Sequence, residues 1–452
     1  MSVKSIMAIY CPAFLKPAFE RIENSPLGYR LAKGMFWTIA GAVTSRGLML
    51  CSSVLVSRML GKTCYGELGM IQSTIGMFGT FAGFGLGITA TKHVAELREK
   101  HPERAGRIIA LAGLIATVTG GLMALGLAVF APWLAEHTIS APHLASVLRV
   151  GCLILFFSAL NGAQTGALSG FEAFRTIAHV NLIVVLISFP IMIAGAYLGG
   201  LNGTVWALSI NMAINWLLNH LAIRKEARSC HVPLTFRDCG QELPLLWSFA
   251  LPAVLSGIMV SPVNWACAAL LVHQPGGYGE MGIFSAANQW FGILMFLPGT
   301  LGSVVLPILS NQLGRNATTQ SRRTLVFAIK VNLIIVAPFA LAASIASPYI
   351  MQSYGGGFGN GWPTLIVVLW TAGLIAVNAP VGQLLAASGK MWIGFLMNTG
   401  WAIVFMVSTL LLIKYGSLGL ASARGIAYLL HTLWVFTFVV FVLRVRLYPD
   451  HD

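Results

Sequence analysis

The chain has 452 residues, 57% of them hydrophobic and 9% charged, where an ordinary soluble domain carries about 25% charged residues; a soluble globular fold is excluded. Its 28 Lys and Arg against 14 Asp and Glu leave a net charge of +14. Most of the excess falls in loops on one side of the apolar segments, so it is read as contact with anionic headgroups and not as nucleic-acid binding.

In chain order, residues 1–33 come first, interrupted by Pro12, Pro17 and Glu20. Nothing there resembles a cleavable signal, and Ile6 to Phe19 either lie along the membrane surface or form a disordered tail. Apolar stretches of roughly 20 residues or more then recur, each long enough to cross a hydrocarbon core of about 30 Å as a helix. They cover 34–59, 66–91, 106–133, 144–168, 176–199, 201–223, 244–272, 279–309, 324–349, 363–387, 391–413 and 418–443. The expectation is an all-α polytopic membrane protein of about twelve transmembrane helices.

The loops supply an orientation. One side holds Lys92 to Arg107, Arg175, Arg224 to Arg237, Arg315 to Arg323 and Lys390, whereas the other holds Arg58, Lys62, Arg149 and Lys414. The positive-inside rule then puts both termini in the cytoplasm. Seven scattered cysteines suggest no disulfide framework. Cys230, His231 and Cys239 share a loop but lack the paired spacing of a zinc site, so neither metal nor cofactor is expected.

The chain repeats itself. Tyr65-Gly66-Glu67-Leu68-Gly69-Met70 returns 213 positions later as Tyr278-Gly279-Glu280-Met281-Gly282-Ile283. Gly200, Gly203 and Ala207 match Gly416, Gly419 and Ala423 at an offset of 216, and Ser169-Gly170 matches Ser388-Gly389 at 219. Three anchors in one order predict two parallel six-helix lobes around a central cavity, related by an axis along the membrane normal. The boundaries are residues 34–223 for the N-lobe, 224–243 for a cytoplasmic linker, 244–443 for the C-lobe and 444–452 for a cytoplasmic tail. Gly79, Gly83 and Gly87 should give the second span a small-residue packing face, and Pro190, Pro252, Pro262, Pro298, Pro338 and Pro380 should bend their helices.

Charge inside the apolar segments is one-sided. The Asp and Glu residues are expected outside them, Glu67 and Glu280 standing at the very edges of 66–91 and 279–309, while Arg46, Lys330 and Arg424 fall within. An ionisable group in hydrocarbon costs at least about 2.5 kcal/mol. With no buried carboxylate to pair with, these cations must find backbone carbonyls, water or an anionic ligand; Lys330 and Arg424 are also close enough to span ends to snorkel.

Polar residues in the spans form the second set. Asn211, Asn215 and Asn219 recur every four residues, which stacks them along one helix face. Asn161 and Gln164 share a face of the fourth span, and Asn264, Gln289 and Gln383 belong to the second half. Such groups either glue helices together or line a cavity that takes sugars. Trp265 and Trp290 offer rings for sugar stacking or mark the membrane interface. His179, His220 and His431 are the groups in or near spans that titrate near neutrality.

Ser57-Arg58-Met59-Leu60-Gly61, then Tyr65-Gly66, then Phe84-Gly85-Leu86-Gly87 and the basic stretch Lys92 to Arg107 resemble the Wzx-type oligosaccharide flippases. These are polysaccharide-biosynthesis transporters of the multidrug, oligosaccharidyl-lipid and polysaccharide exporter superfamily. The resemblance implies a V-shaped pair of lobes in the bacterial inner membrane. It also implies alternating access that carries undecaprenyl-pyrophosphate-linked sugar units from the cytoplasmic to the periplasmic leaflet. Arg46, Arg424 and Lys330 would hold the pyrophosphate, with the lipid-linked oligosaccharide as cargo and a polysaccharide polymerase or chain-length machinery as partners. A guanidinium fork suits phosphate on chemical grounds as well.

Two alternatives remain open. A cation-coupled multidrug exporter of the same superfamily would be expected to use a membrane-embedded carboxylate. A membrane glycosyltransferase or polymerase would need an acid or base at the reacting sugar, and the short loops show no such catalytic constellation.

Overall fold

The computed structural model describes residues 26–83, 85–244, 258–314, 318–388 and 391–441. Residues 1–25 of the expected N-terminal segment, the expected tail and Pro252 lie outside the described residues. The main elements are helices α1 (Pro26–Gly83), α2 (Leu86–Leu97), α3 (Pro102–Trp133), α4 (Ala145–Gly170), α5 (Phe174–Ser229), α6 (Val260–Val272) and α7 (Gly277–Leu294). They continue with α8 (Phe296–Gly314), α9 (Thr318–Ile345), α10 (Ser347–Ser353), α11 (Trp362–Ala387), α12 (Met391–Leu412) and α13 (Gly416–Phe441).

Six helical stretches among the described residues, or seven with the bent pair Thr44–Gly83 and Leu86–Leu97, are long and apolar enough to cross a membrane. Some of these stretches hold two expected spans joined at a tight turn, as Phe174–Ser229 does at Gly200. The 56-residue α5 turns at Gly200 (φ 53°, ψ −133°), and the backbones of Gly195 and Gly203 meet across the turn. Gly416, the sequence counterpart of Gly200, adopts nearly the same conformation (φ 63°, ψ −137°) between α12 and α13. A residue with a Cβ is strained there, so the repeat is preserved in backbone geometry as well as in letters. In α1 the turn falls at Gly61 (φ 77°, ψ 171°), with Ser53 Oγ and Tyr65 OH 2.7 Å apart on its two legs.

The expected glycine face of the second span is interrupted. The helix stops at Gly83 and restarts at Leu86 after Gly85 (φ 64°), and Gly87 packs on Gly162 and Gly166 of α4 instead. In lipid, association rests on such close packing.

The two lobes meet where the second leg of α1 crosses α7. A Cβ at Gly66 would strike the carbonyl of Tyr278, one at Gly282 the carbonyl of Lys62, and one at Gly69 the hydroxyl of Ser285. The contact joins the two repeated segments directly. Only bare backbone permits this approach. It brings the polar residues of both helices to one shared wall.

The segment after α5 folds back on α3. Val232 is buried against Val94, Ala105 and Ile108. Arg104 donates from Nε and Nη2 to both carboxylate oxygens of Glu242, at 3.0 and 2.8 Å, and Arg107 adds a third bond at 3.2 Å. The Arg104 hydrogen bond, followed by Arg107, holds the Glu242 carboxyl below the usual carboxylate range although burial opposes this.

Candidate functional site

One end of the lobe interface is sealed. Ser57 Oγ donates to the carbonyl of Tyr354 at 3.0 Å, Arg58 Nε to that of Ser353 at 2.6 Å, and Tyr278 OH to that of Ile139 at 2.7 Å. Tyr65, Tyr354 and Phe358 pack edge to face or tilted behind these bonds, with centroids 5.8 to 6.4 Å apart. Glu280 accepts from the backbone N–H and hydroxyl of Ser417 at 2.9 and 2.7 Å, capping the start of α13, and pairs with Lys62 at 3.4 Å. Its repeat partner Glu67 faces His143 Nε2 at 2.8 Å.

These pairs correct the expectation that no carboxylate is buried. Glu67 and Glu242 are buried, and Glu280 is partly so. Glu67 follows the turn at Gly61, Glu280 lies in the first turn of α7 and Glu242 lies in the linker, and their cationic partners Lys62, Arg104 and Arg107 are none of the three candidate cations. Arg46, Lys330 and Arg424 gain no carboxylate from them.

Beside the sealed end lies a cavity of about 360 Å³ walled by both lobes, with Gln72 and Ser73 from α1, Asn264 from α6, Asn288 and Gln289 from α7, and Arg424 from α13. A second cavity of about 230 Å³ shares Gly69, Gln72, Ser285 and Gln289 with it. That cavity reaches Asn211 and Asn215 on α5. A third, open groove of about 570 Å³ continues from Asn215 and Met212 to Asn161 and Thr165 on α4. The three adjoin as one path. Among the described residues, no Asp or Glu lines it.

Arg424 is its dominant charge. The residue is 5% exposed, and its guanidinium lies between the rings of Phe284 and Phe291, 5.0 and 5.1 Å from their centroids. Nη1 donates to Asn288 Oδ1 at 3.0 Å, while Nε and Nη2 have no partner. A buried donor without a partner costs about 1 to 3 kcal/mol, more when charged. The arrangement is a fork of positive donors held at the cavity wall, suited to an oxyanion.

The other candidate cations sit elsewhere. Arg46 is half-buried on the first leg of α1 and stacks on Phe296 of α8 at 4.8 Å, so it bridges the lobes outside the three lining sets. Lys330 is exposed on α9 and lines none of them, which fits snorkelling better than a cavity role.

The asparagine stripe divides. Asn211 lines the second cavity with an unpartnered Oδ1. Asn219 is turned inward, where its Nδ2 donates to Asn215 Oδ1 at 3.1 Å and Asn161 Oδ1 at 3.5 Å. Asn161 in turn donates to the carbonyl of Met212 at 3.1 Å. Residues four apart drift about 40° around a helix of 3.6 residues per turn, so Asn211 and Asn219 are about 80° apart, and of the two only Asn211 lines the second cavity.

Gln164, with its amide assigned to satisfy both atoms, pairs with Trp216 at 3.2 Å for each bond. Gln383 packs beside Gly302 of α8 and lines none of the three spaces. Asn264 and Gln289 do line the path. Trp265 is tied to Thr74 Oγ1 at 3.0 Å, Trp290 lies against Phe339, His220 stacks on Trp216, and His431 is enclosed by Tyr428 and Trp434. His179 is exposed. Gln72, Ser285 and Asn288 were missed by sequence reasoning. Gln72 and Ser285 stand at the same 213 offset as the Tyr-Gly-Glu pair, a signal that could have found them.

Comparisons with known proteins agree with this architecture. The profile of a family described as polysaccharide biosynthesis protein matches residues 31–312. The EPS I polysaccharide export inner membrane protein EpsE of Ralstonia solanacearum is 27% identical over 408 residues, covering 86% of this chain and 89% of that protein. The lipid III flippase of Escherichia coli (strain K12) is 21% identical over 407 residues, covering 89% and 96%. Among solved structures, an inward-facing multidrug resistance MATE family transporter of the MOP superfamily aligns with a TM-score of 0.72 at 14% identity, over 88% of this chain and 95% of that one. The lipid II flippase MurJ in an inward closed conformation aligns with a TM-score of 0.68 at 17% identity, over 90% and 87%. These structural likenesses establish a shared transporter fold.

Proposed function

The chain belongs to the polysaccharide biosynthesis protein family, and we propose that it is an inner-membrane flippase for polyprenyl-pyrophosphate-linked oligosaccharide units destined for cell-surface polysaccharide. The observation that carries this reading is Arg424: a buried guanidinium with two unpartnered donors in the wall of a polar cavity that, among the described residues, no carboxylate lines. Such a lumen repels cationic drugs and attracts phosphate and other oxyanions. The names of EpsE and of the lipid III flippase point the same way.

In this reading the lobes, residues 34–223 and 244–443, rock about the Gly66–Gly282 crossing. The loop charge bias puts the sealed end at the periplasm, so the described state receives cargo from the cytoplasmic side. Arg46 and Arg424 supply the cations that hold the cargo's charge, and Asn211, Asn215, Asn264 and Gln289 offer hydrogen bonds to sugar hydroxyls. The prenyl tail stays in lipid. No covalent chemistry is required of the protein.

Native mass spectrometry of the gently solubilised protein tests the cargo class. A bound polyprenyl-pyrophosphate saccharide is the expected result. Retention of ordinary phospholipid alone, from cells making the saccharide lipid, would overturn it.

A further inference from the structure

The two repeats differ at the end of the path away from the seal. The groove of about 570 Å³ runs between α2, α4 and α5, and its floor is one face of α4, where Ser158, Asn161, Gly162, Thr165 and Ser169 recur at helical spacing. At 1.5 Å per residue this face is about 16 Å long. Ser158, Gly162 and Thr165 are exposed along it. At the offset of 219 that relates α4 to α11, Gly162 and Thr165 correspond to Val381 and Leu384, which are buried in an apolar cluster with Val305 and Leu309 of α8. The C-lobe fills the place that the N-lobe keeps open.

Packing does not explain why residue 162 is a glycine. Gly87 and Gly166 must be bare because a Cβ on either would strike backbone of the facing helix, whereas a Cβ at Gly162 would meet no atom within 4 Å. Glycine inside a helix costs stability relative to alanine, so the missing side chain at Gly162 gives the fold nothing and the groove its width. The lining decides what that width admits. Hydroxyls of Ser158, Thr165 and Ser169 and amides of Asn161 and Asn215 dominate it, and among the described residues it holds no Lys, Arg, Asp or Glu. A prenyl chain would meet hydroxyls there, and a phosphate or carboxylate would find no cation. An uncharged polyhydroxyl chain would find groups that both donate and accept. We propose that this groove is the subsite for an uncharged stretch of pyranose rings in the saccharide unit, and that Gly162 sets the width of the unit it takes. This rests on the flippase reading above.

The test uses the purified full chain and two synthetic probes, undecaprenyl pyrophosphate without sugar and the same lipid carrying a linear chain of three glucose residues. Wild type is expected to bind the glucose probe about tenfold or more tighter than the sugarless one, the scale of a few hydrogen bonds. Gly162→Leu should bring that ratio close to one while the sugarless probe binds as before, and Thr165→Val should lower it about threefold. Gly113→Leu should leave it unchanged, since a Cβ at Gly113 on α3 also meets nothing within 4 Å but the residue lines none of the three spaces. Equal binding of the two probes by wild type, a ratio that survives Gly162→Leu, or a ratio lost equally in Gly113→Leu overturns the subsite and leaves the flippase reading standing. Failure of wild type to bind either probe above undecaprenol overturns both. Thr165→Val exchanges a hydroxyl for a methyl on an exposed helix face, so where Gly162→Leu does not fold, an unchanged ratio in Thr165→Val overturns the subsite instead.

Discussion

The N-lobe interior and the shared cavity wall treat buried polar groups in opposite ways. Among α4 and α5, Asn219 bonds to Asn161 and Asn215 at the edge of the path, Asn161 bonds to backbone, and Gln164 closes on Trp216. On the wall, Arg424 and Asn211 keep atoms unsatisfied. A protein gains nothing in stability from leaving charged donors buried without partners. Unsatisfied atoms alone do not mark the site, since Asn332, Asn378 and Trp401 also keep them away from the path; Arg424 and Asn211 are set apart by combining them with a place on its wall.

The comparison breaks most visibly at the arginines. Arg46→Ala is expected to abolish polymer export at normal membrane abundance, with Arg46→Lys restoring only part, because the fork is lost. Full export by the alanine variant would remove Arg46 from the account. Asn211→Ala is expected to lower transport per molecule about tenfold with abundance unchanged, since one hydrogen bond to a bound polar ligand is of that order. Asn219→Ala should do the reverse: transport per molecule stays at the wild-type level and thermal stability falls by about 1 kcal/mol, the range measured for interhelical polar contacts. Swapped outcomes for these two asparagines would erase the distinction between wall and interior.

A smaller effect concerns acid. Because the Arg104 hydrogen bond holds Glu242 below its ordinary value, its contribution is fully present above the unfolded pKa of about 4.3 and is lost as pH falls through the folded value. Thermal unfolding of the solubilised protein followed below about pH 5 should show this loss, and Arg104→Ala should diminish it.

Most of the architecture was legible because symmetry wrote it twice. The Tyr-Gly-Glu pair located the helices that cross at the lobe interface, and Gly200 with Gly416 marked turns of matching backbone geometry. Helix ends were readable at Gly61 and Gly200, where the backbone leaves helical geometry between the spans 34–59 and 66–91 and between 176–199 and 201–223, but not at Gly85, which breaks an apolar run that hydropathy shows as unbroken. Within the site, position inside apolar segments named Arg424 together with Arg46 and Lys330, but spacing alone could not separate Asn211 from Asn219: the answer depends on the 40° drift per four residues and on where α4 sits. The buried acids were hidden for another reason. Glu67, Glu242 and Glu280 find His143, Arg104 and Ser417 at separations of 76, 138 and 137 residues, which no local pattern encodes.

The most direct test of the central claim is translocation in proteoliposomes containing only this chain and a fluorescent undecaprenyl-pyrophosphate disaccharide, read by the fraction reached by an external quencher. Wild type is predicted to equilibrate the lipid between leaflets, Arg46→Ala to leave it where it was placed, and an ethidium-like cation to remain unmoved by either. Equilibration by Arg46→Ala at the wild-type rate, or transport of the cation by wild type, would contradict the account.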